Sequence, residues 1–68
     1  MREFQLTSKY IELVKLLKLL RIAETGGHAK IMVDEGDVYL NGVQEFRKRA
    51  KLRTGDIVEI NGEIIHIN

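Results

Sequence analysis

The sequence has 68 residues, of which 44% are hydrophobic and 31% are charged, with no cysteine and no proline. This length and composition are typical of one small globular domain, so we expect residues 1–68 to form a single domain. The lack of cysteine excludes disulfides and thiolate metal sites, and it is compatible with a reducing cytoplasm, where we expect the protein to act. We expect neither a signal peptide nor a membrane span, because the most apolar stretch, residues 10–23, is short and interrupted by charged side chains.

Positive charge is concentrated in one stretch, although the formal net charge is only +1. Five of the eleven Lys and Arg residues lie within positions 47–53, which we call the basic strip. Unpaired charges resist burial, so we expect the strip to lie at the surface, where it can attract a polyanion. An acidic cluster, Asp34, Glu35 and Asp37, lies elsewhere and is expected to form a solvated turn. The five cations of the strip are Arg47, Lys48, Arg49, Lys51 and Arg53.

The first part of the sequence predicts a short strand followed by a helix. Apolar and polar residues alternate within the first seven positions, which permits the strand. The apolar spacing over residues 9–23 predicts an amphipathic helix, with Thr7 or Ser8 as its N-cap. Tyr10 falls on the core-facing stripe of this helix, so we expect it to be buried. Lys15 and Lys18 fall on the opposite face, where they could serve either solubility or ligand binding.

A second helix is predicted after a Thr-Gly-Gly turn. Thr25 is a candidate N-cap for a helix over residues 28–35, and Gly36 is a candidate residue just past its C-terminus. The free N–H groups at the start of this helix form a weak positive pole that can hold a phosphate, with Lys30 one turn further on. The alternative is a plain helix–turn–helix corner in which the glycines allow close packing.

Two Asn-Gly pairs predict two β-hairpins. Asn41-Gly42 is expected to turn a hairpin over residues 37–46, and Asn61-Gly62 a second hairpin over residues 57–67. The second hairpin is rich in isoleucine, so we expect one of its faces to be covered by the first helix. Between the hairpins, Thr54-Gly55-Asp56 predicts a turn. The basic strip therefore connects two ordered hairpins.

The order and spacing of these motifs resembles the RNA-binding domain named after small-subunit ribosomal protein S-four (S4), also called the alpha-L motif. The pieces that carry the resemblance are Gly-Gly-x-Ala-Lys at residues 26–30, Val-x-x-Asn-Gly at residues 38–42, and a basic run before Lys-Leu-x-x-Gly-Asp at residues 51–56. The resemblance covers about residues 4–60, and it is closest to the small stand-alone bacterial proteins that consist of this domain alone.

The resemblance implies an α+β fold in which two short helices pack on a small, strongly bent antiparallel sheet. It also implies RNA binding without a cofactor or metal. Larger members of the family usually carry Ser-Arg where Thr25-Gly26 stands, so their RNA specificity does not transfer to this sequence. The residues that the resemblance assigns to RNA binding are Lys18, Thr25, Gly26, Gly27, His28, Lys30, Asn41, Arg47, Lys48, Arg49 and Lys51.

The expected ligand is a structured RNA, ribosomal or transfer RNA, bound by a monomer that acts in ribosome assembly or translation. The sequence has only two Tyr and two Phe residues, and Tyr10 is expected to be buried, so no row of stacking platforms for single-stranded bases is predicted. Recognition by RNA shape and backbone is therefore favoured.

Other functions stay open at this point. The basic strip could dock on an acidic protein partner, bind DNA, or be a solvated loop without a ligand. An enzyme is not expected, because the sequence shows no nucleophile–base set, and a small-molecule substrate is not expected either. His28 and His66 lie far apart in a chain without cysteine, so no metal site is predicted.

Overall fold

Two short helices and seven short strands make up residues 2–68, the part of the chain that the computed structural model describes. No helix in this range is long and apolar enough to cross a membrane. The elements, in chain order, are β1 (Arg2–Phe4), β2 (Ile11–Glu12), α1 (Leu13–Leu19), α2 (Gly26–Asp34), β3 (Val38–Leu40), β4 (Val43–Gln44), β5 (Lys51–Leu52), β6 (Ile57–Ile60) and β7 (Glu63–Ile67).

The strands form a five-stranded sheet and a separate two-stranded ribbon. The strand order of the sheet is β1-β7-β6-β3-β4, and β2 pairs with β5 to make the ribbon. The predicted α+β fold, with two helices on a small sheet, is confirmed. One pairing differs from the expected antiparallel pattern: β1 runs parallel to β7, with Phe4 opposite Ile67. Parallel neighbours need a long crossover connection, and here the whole intervening chain supplies it.

The core lies between the inner face of the sheet and the two helices. Side chains alternate along β6 and β7, so that one face of the second hairpin is buried, as predicted. Ile57 and Ile64 lie on the opposite face and keep 37% and 38% of their surface exposed. The largest fully buried side chains are Leu13, Leu16, Leu17, Val33, Val38, Leu52, Val58, Ile60, Ile65 and Ile67.

Helix α1 begins four residues later than its apolar periodicity indicates, at Leu13. The preceding residues, Ile11 and Glu12, pair with β5 instead of joining the helix. Long-range pairing thus overrides local helical spacing at this end. The helix also ends early, at Leu19, and Arg21 shortly after it has a positive φ of 59°.

The predicted N-cap of α1, Thr7 or Ser8, is wrong. Both residues precede the helix by several positions, and the Ser8 hydroxyl donates to the Tyr10 carbonyl oxygen at 2.9 Å. The N-cap residue is Glu12, which makes no side-chain capping hydrogen bond. The basic strip caps the helix with its backbone. The pairs are Leu13 N–H to Ala50 O at 2.9 Å and Val14 N–H to Lys48 O at 3.2 Å.

The predicted N-cap of α2, the glycine past its end and both hairpin turns are confirmed. Helix α2 is capped by Thr25, whose hydroxyl oxygen accepts from the His28 N–H at 3.0 Å, and Gly36 past its end has φ of +79°. The helix starts at Gly26, two residues earlier than predicted. Both Asn-Gly pairs have positive φ at both residues and turn their hairpins, since such turns match the twist of the flanking strands.

Gly36 is the glycine at which a side chain should cost most. A Cβ there would collide with the side chain of Gln44, whose amide N–H donates to the Gly36 carbonyl oxygen at 2.8 Å. Gly62 has a similar φ of +77°, but a Cβ at that position would meet no atom within 4 Å. We expect Gly62→Ala to lose about 1 kcal/mol from left-handed strain alone, and Gly36→Ala to lose clearly more, in the free energy of unfolding measured with urea. Equal losses for the two variants would contradict the packing at Gly36.

Candidate nucleic-acid interface

A groove with basic walls lies where α1, the start of α2 and the basic strip meet. The strip is held over the start of α1 by the two backbone capping bonds, which brings Lys48 and Arg49 to one wall. Side chains three residues apart on a helix share a face, so Lys15 and Lys18 of α1 line it together. We call this surface the cationic groove. Its lining residues are Glu12, Val14, Lys15, Lys18, Gly26, Lys30, Lys48 and Arg49.

The start of α2 has free backbone donors and meets this groove at Gly26. Within residues 2–68, the N–H groups of Gly26 and Gly27 donate to no acceptor, whereas the next N–H, of His28, is taken by Thr25. The Nδ1 atom of His28 accepts from the Glu24 N–H at 3.3 Å. Free N–H groups at a helix start favour an anion, because they add to the positive end of the helix dipole. The groove therefore combines a helix N-terminus with side-chain cations.

Three cations of the basic strip are each paired with a carboxylate. Glu45 lies two positions before its partner in the sequence, whereas the fold brings Asp34 and Glu12 to the strip from distant positions. The pairs are Arg47 with Glu45 at 2.9 Å, Lys48 with Asp34 at 3.3 Å, and Arg49 with Glu12 at 3.4 Å. Sequence reasoning missed all three pairs. The residues of two of them are more than a dozen positions apart, so local spacing gives no signal for these two.

The pair between Arg47 and Glu45 is the tightest of the three. Both Glu45 carboxylate oxygens accept from the Arg47 guanidinium, at 2.9 and 3.1 Å, and one of them also accepts from the Arg47 backbone N–H at 3.0 Å. The side-chain hydrogen bond from Arg47 is the main reason that the pKa of Glu45 lies below its usual value, and the same contact raises the pKa of Arg47. Glu45 therefore stays charged beside the strip down to acidic pH.

The lysines on the helices carry positive charge without such partners. No carboxylate among residues 2–68 lies within 4.0 Å of the ammonium groups of Lys15, Lys18 or Lys30. Lys18 and Lys30 are predicted site residues, whereas for Lys15 the sequence leaves solubility and ligand binding both open. The spacing of Lys15 from Lys18 was the available signal for its place in the groove.

The predicted site residues do not all lie at the groove. The structure brings Lys18, Gly26, Lys30, Lys48 and Arg49 together there. Thr25, Gly27 and His28 lie at the adjoining start of α2, which Thr25 caps. The role of these residues in RNA binding remains a prediction.

Asn41 has a role within the fold. Its side-chain N–H donates to Asp56 at 3.0 Å, and its side-chain oxygen accepts from the Ile57 N–H at 2.8 Å. These bonds tie the first hairpin turn to the turn before β6. Asn41 is not among the residues that line the cationic groove.

Lys51 lies on the far side of the basic strip, beside Tyr10. The prediction that Tyr10 is buried is wrong: 39% of its surface is exposed, because it precedes the ribbon instead of lying inside α1. The Lys51 Nζ atom lies 5.0 Å from the centre of the Tyr10 ring, and the Arg53 Cζ atom lies 5.9 Å from it. A second depression, which we call the cationic hollow, is lined by Arg47, Arg49, Ala50, Lys51 and Arg53.

Within residues 2–68, no group of three or more His, Cys, Asp or Glu side chains could hold a metal ion. The basic strip and the adjoining groove instead present cations, backbone N–H groups and three carboxylates. Such a set suits the binding of phosphate groups through charge-assisted hydrogen bonds.

Comparison with known proteins decides the family. The sequence model of the family described as S4 domain matches residues 4–68. The chain belongs to the S4 domain family. This confirms the resemblance seen in the Gly-Gly, Asn-Gly and basic-strip motifs, and it extends that resemblance through the second hairpin.

Two relatives in the S4 domain family are similar over most of their length. YbcJ of Escherichia coli (strain K12) is 40% identical over 58 residues, which cover 85% of this chain and 83% of YbcJ. A Bacillus subtilis (strain 168) protein named "Probable ribosome maturation protein RlbA" is 38% identical over 55 residues, which cover 81% of this chain and 78% of RlbA. Both relatives are therefore small proteins that consist largely of this domain.

Two solved structures share the fold. The solution structure of E. coli YbcJ, described as revealing an alfaL motif involved in RNA-binding, matches with a TM-score of 0.74 and 38% identity over 98% of this chain and 86% of YbcJ. The crystal structure of the 30S ribosomal protein S4e from Thermoplasma acidophilum matches with a TM-score of 0.70 and 22% identity, over 85% of this chain and 31% of S4e. The second likeness concerns the S4 domain fold alone.

The coupling of Glu45 to Arg47 can be measured directly. We expect Arg47→Ala to raise the pKa of Glu45 toward its ordinary value, because the side-chain hydrogen bond that is the largest cause of the lowered pKa is lost. The measurement is an NMR titration of the Glu45 side-chain carboxyl carbon between acidic and neutral pH. Arg49→Ala is the matched control and should leave the pKa of Glu45 in place, since Arg49 pairs with Glu12. An unchanged pKa in Arg47→Ala would show that the pair does not form in solution.

Proposed function

We propose that this protein binds structured RNA, without catalysis, through the cationic groove and the basic strip. The observation that carries the proposal is the convergence of five Lys and Arg side chains from three separate segments on one groove that also holds a helix start. Among the residues that the structure describes, Glu12 supplies the one carboxylate that lines the same groove. A surface of this kind suits the negatively charged backbone of a nucleic acid.

Two of the strip's ion pairs, those of Lys48 and Arg49, are compatible with RNA binding, because they are exposed and weak. Arg49 keeps 83% of its side-chain surface exposed and meets Glu12 through one contact of 3.4 Å. Exposed pairs of this type contribute little, so a phosphate can replace the carboxylate at small cost. The guanidinium fork then offers two parallel hydrogen bonds to the phosphate. A phosphate can replace the Asp34 carboxylate beside Lys48 in the same way.

The shape of the groove favours a folded RNA over an extended strand. Its walls are helices and a backbone-anchored strip, so the cations are held at fixed positions that match a fixed phosphate array. The relatives support this choice, since the YbcJ structure is described as having a motif involved in RNA-binding and RlbA is named for ribosome maturation. We propose ribosomal or transfer RNA in the cytoplasm as the ligand. One chain supplies the whole groove, so residues 1–68 would act as a single domain and as a monomer.

The first test replaces Arg47, Lys48 and Arg49 together by Ala. The strip caps α1 through backbone carbonyls, so the fold should survive, while affinity for a labelled structured RNA hairpin should fall at least about tenfold. The slope of log affinity against log salt should also become shallower by roughly two, since fewer phosphates are neutralised. Fluorescence anisotropy across a salt series, with a DNA duplex of the same sequence as competitor, measures both quantities. Parent-like binding by the triple variant would contradict the assigned site.

A second test separates local contact from total charge. The double variant Lys18→Gln with Lys30→Gln removes two groove cations, and Lys9→Gln with Arg21→Gln removes two cations that do not line the groove. Both changes lower the net charge equally. We expect the groove variant to lose several-fold more affinity for the same hairpin in the same anisotropy assay. Equal losses would mean that RNA affinity depends only on overall charge. Tighter binding of the DNA duplex than of the RNA hairpin would favour DNA as the ligand.

A further inference from the structure

Two tyrosines are exposed to nearly the same degree but lie in different surroundings. Tyr10 is 39% exposed and Tyr39 is 40% exposed. Tyr39 lies on the outer face of the sheet, where its strand neighbours are Glu59 and Gln44. Among the described residues, the aromatic ring with Lys and Arg side chains over it is that of Tyr10. This contrast makes Tyr10 a special position and Tyr39 its natural control.

The ribbon of β2 and β5 fixes where Tyr10 points. Ile11 pairs with Leu52, and both are buried in the core. Side chains alternate along a strand, so the residues next to this pair, Tyr10, Lys51 and Arg53, project to the outer side. Extending the antiparallel register by one position places Tyr10 opposite Arg53. The ring and the two cations are thus brought together by strand pairing.

Tyr10 lines one concave surface, and the two cations over its ring line a second one. The first surface, which we call the tyrosine hollow, mixes the apolar side chains of Phe4, Leu6 and Leu19 with polar residues that include Ser8 and Lys9. The second surface is the cationic hollow, which contains the two cations that contact this ring. Within residues 2–68, no carboxylate lies within 4.0 Å of the Lys51 ammonium or the Arg53 guanidinium, while the Asp56 carboxylate accepts from the Arg53 backbone N–H at 2.8 Å. An aromatic ring between apolar side chains and two side-chain cations without carboxylate partners suits a ligand that is flat at one end and anionic at the other.

We propose that Tyr10 forms a subsite for one unpaired nucleotide at the end of the structured RNA. The base stacks on the Tyr10 ring on the side of the tyrosine hollow, and the adjoining phosphate is held by Arg53 and Lys51. Cation–π contacts at an exposed ring are weak, so the phosphate draws both cations away from the ring face and leaves that face for the base. The inference rests on the proposed function, because it adds a nucleotide to the same bound RNA.

The subsite is continuous with the cationic groove. Arg49 lines both the groove and the cationic hollow, so a backbone held in the groove can pass over the strip at this residue. Paired RNA in the groove would then be followed by an unpaired nucleotide at Tyr10. The protein would recognise the junction between a helix and a single strand.

The test compares a blunt RNA hairpin with the same hairpin carrying two unpaired nucleotides, added at the 5′ end in one version and at the 3′ end in another. The ratio of affinities, extended over blunt, measures the contribution of the unpaired nucleotides in each variant by fluorescence anisotropy. For the parent we expect a ratio of about five or more with one of the two extensions, which is the size of a base–aromatic stacking contribution. Tyr10→Leu should reduce that ratio to about one, whereas Tyr10→Phe and Tyr39→Leu should keep it.

A measurement on the unchanged protein makes the test independent of how well Tyr10→Leu folds. The ring proton signals of Tyr10 should move upfield when the extended hairpin binds and move less with the blunt hairpin, while the Tyr39 signals stay in place. Blunt-hairpin binding with no gain from either extension would overturn this inference alone. A gain that persists in a folded Tyr10→Leu would also overturn it. Failure of the parent to bind any of the hairpins would overturn the proposed function together with it.

Discussion

The first turn of helix α1 has free N–H groups and no side chain to cap them, and the basic strip supplies the missing acceptors. The carbonyl oxygens of Lys48 and Ala50 accept from the first two residues of the helix. Unpaired backbone donors at a helix start are costly where water is excluded, so this contact is needed by the helix and orders the strip in return. A segment dense in like charge is thereby held in one conformation, although its side chains repel one another.

Two apolar side chains of the strip are buried in the core and hold its backbone in place. Ala50 and Leu52 are 4% and 0% exposed, while the charged residues that alternate with them point outward. The strip therefore presents Arg49 and Lys51 on a backbone that is fixed from within. Carboxylates from β2, from α2 and from the loop after β4 then neutralise part of the strip's charge. A surface that is preordered and only partly neutralised loses little conformational entropy when a polyanion replaces the carboxylates.

The sequence was sufficient where structure is decided by neighbouring residues. Thr25 caps α2, Gly36 ends it, and both Asn-Gly pairs turn their hairpins, because backbone preferences at one or two positions decide these features. The motif spacing also indicated the family, and with it the helix start and basic strip as parts of one surface. These predictions needed no knowledge of long-range contacts.

The remaining features depend on contacts between distant residues. Apolar spacing predicted Tyr10 inside a helix, but pairing of Ile11 with Leu52 takes that segment into a ribbon and exposes the ring. The ion pairs of Lys48 and Arg49 likewise join segments that are far apart in sequence. The parallel pairing of β1 with β7 cannot be predicted from hydrophobic alternation. Alternation shows which side chains of a strand face the core, but not whether the neighbouring strand runs parallel or antiparallel to it.

The parallel pairing of β1 with β7 also bears on the order in which the chain acquires its structure. Phe4 and Asn68 are joined by a backbone hydrogen bond of 2.8 Å, and Leu6 donates back to Asn68 at 2.9 Å. These contacts close a loop of nearly the whole chain, and the entropic cost of closure grows with loop length. The hairpins and helices, with their short separations, form more readily. During synthesis on a ribosome, β1 therefore has no partner strand until β7 has emerged. The edge of the sheet that β1 forms is completed last.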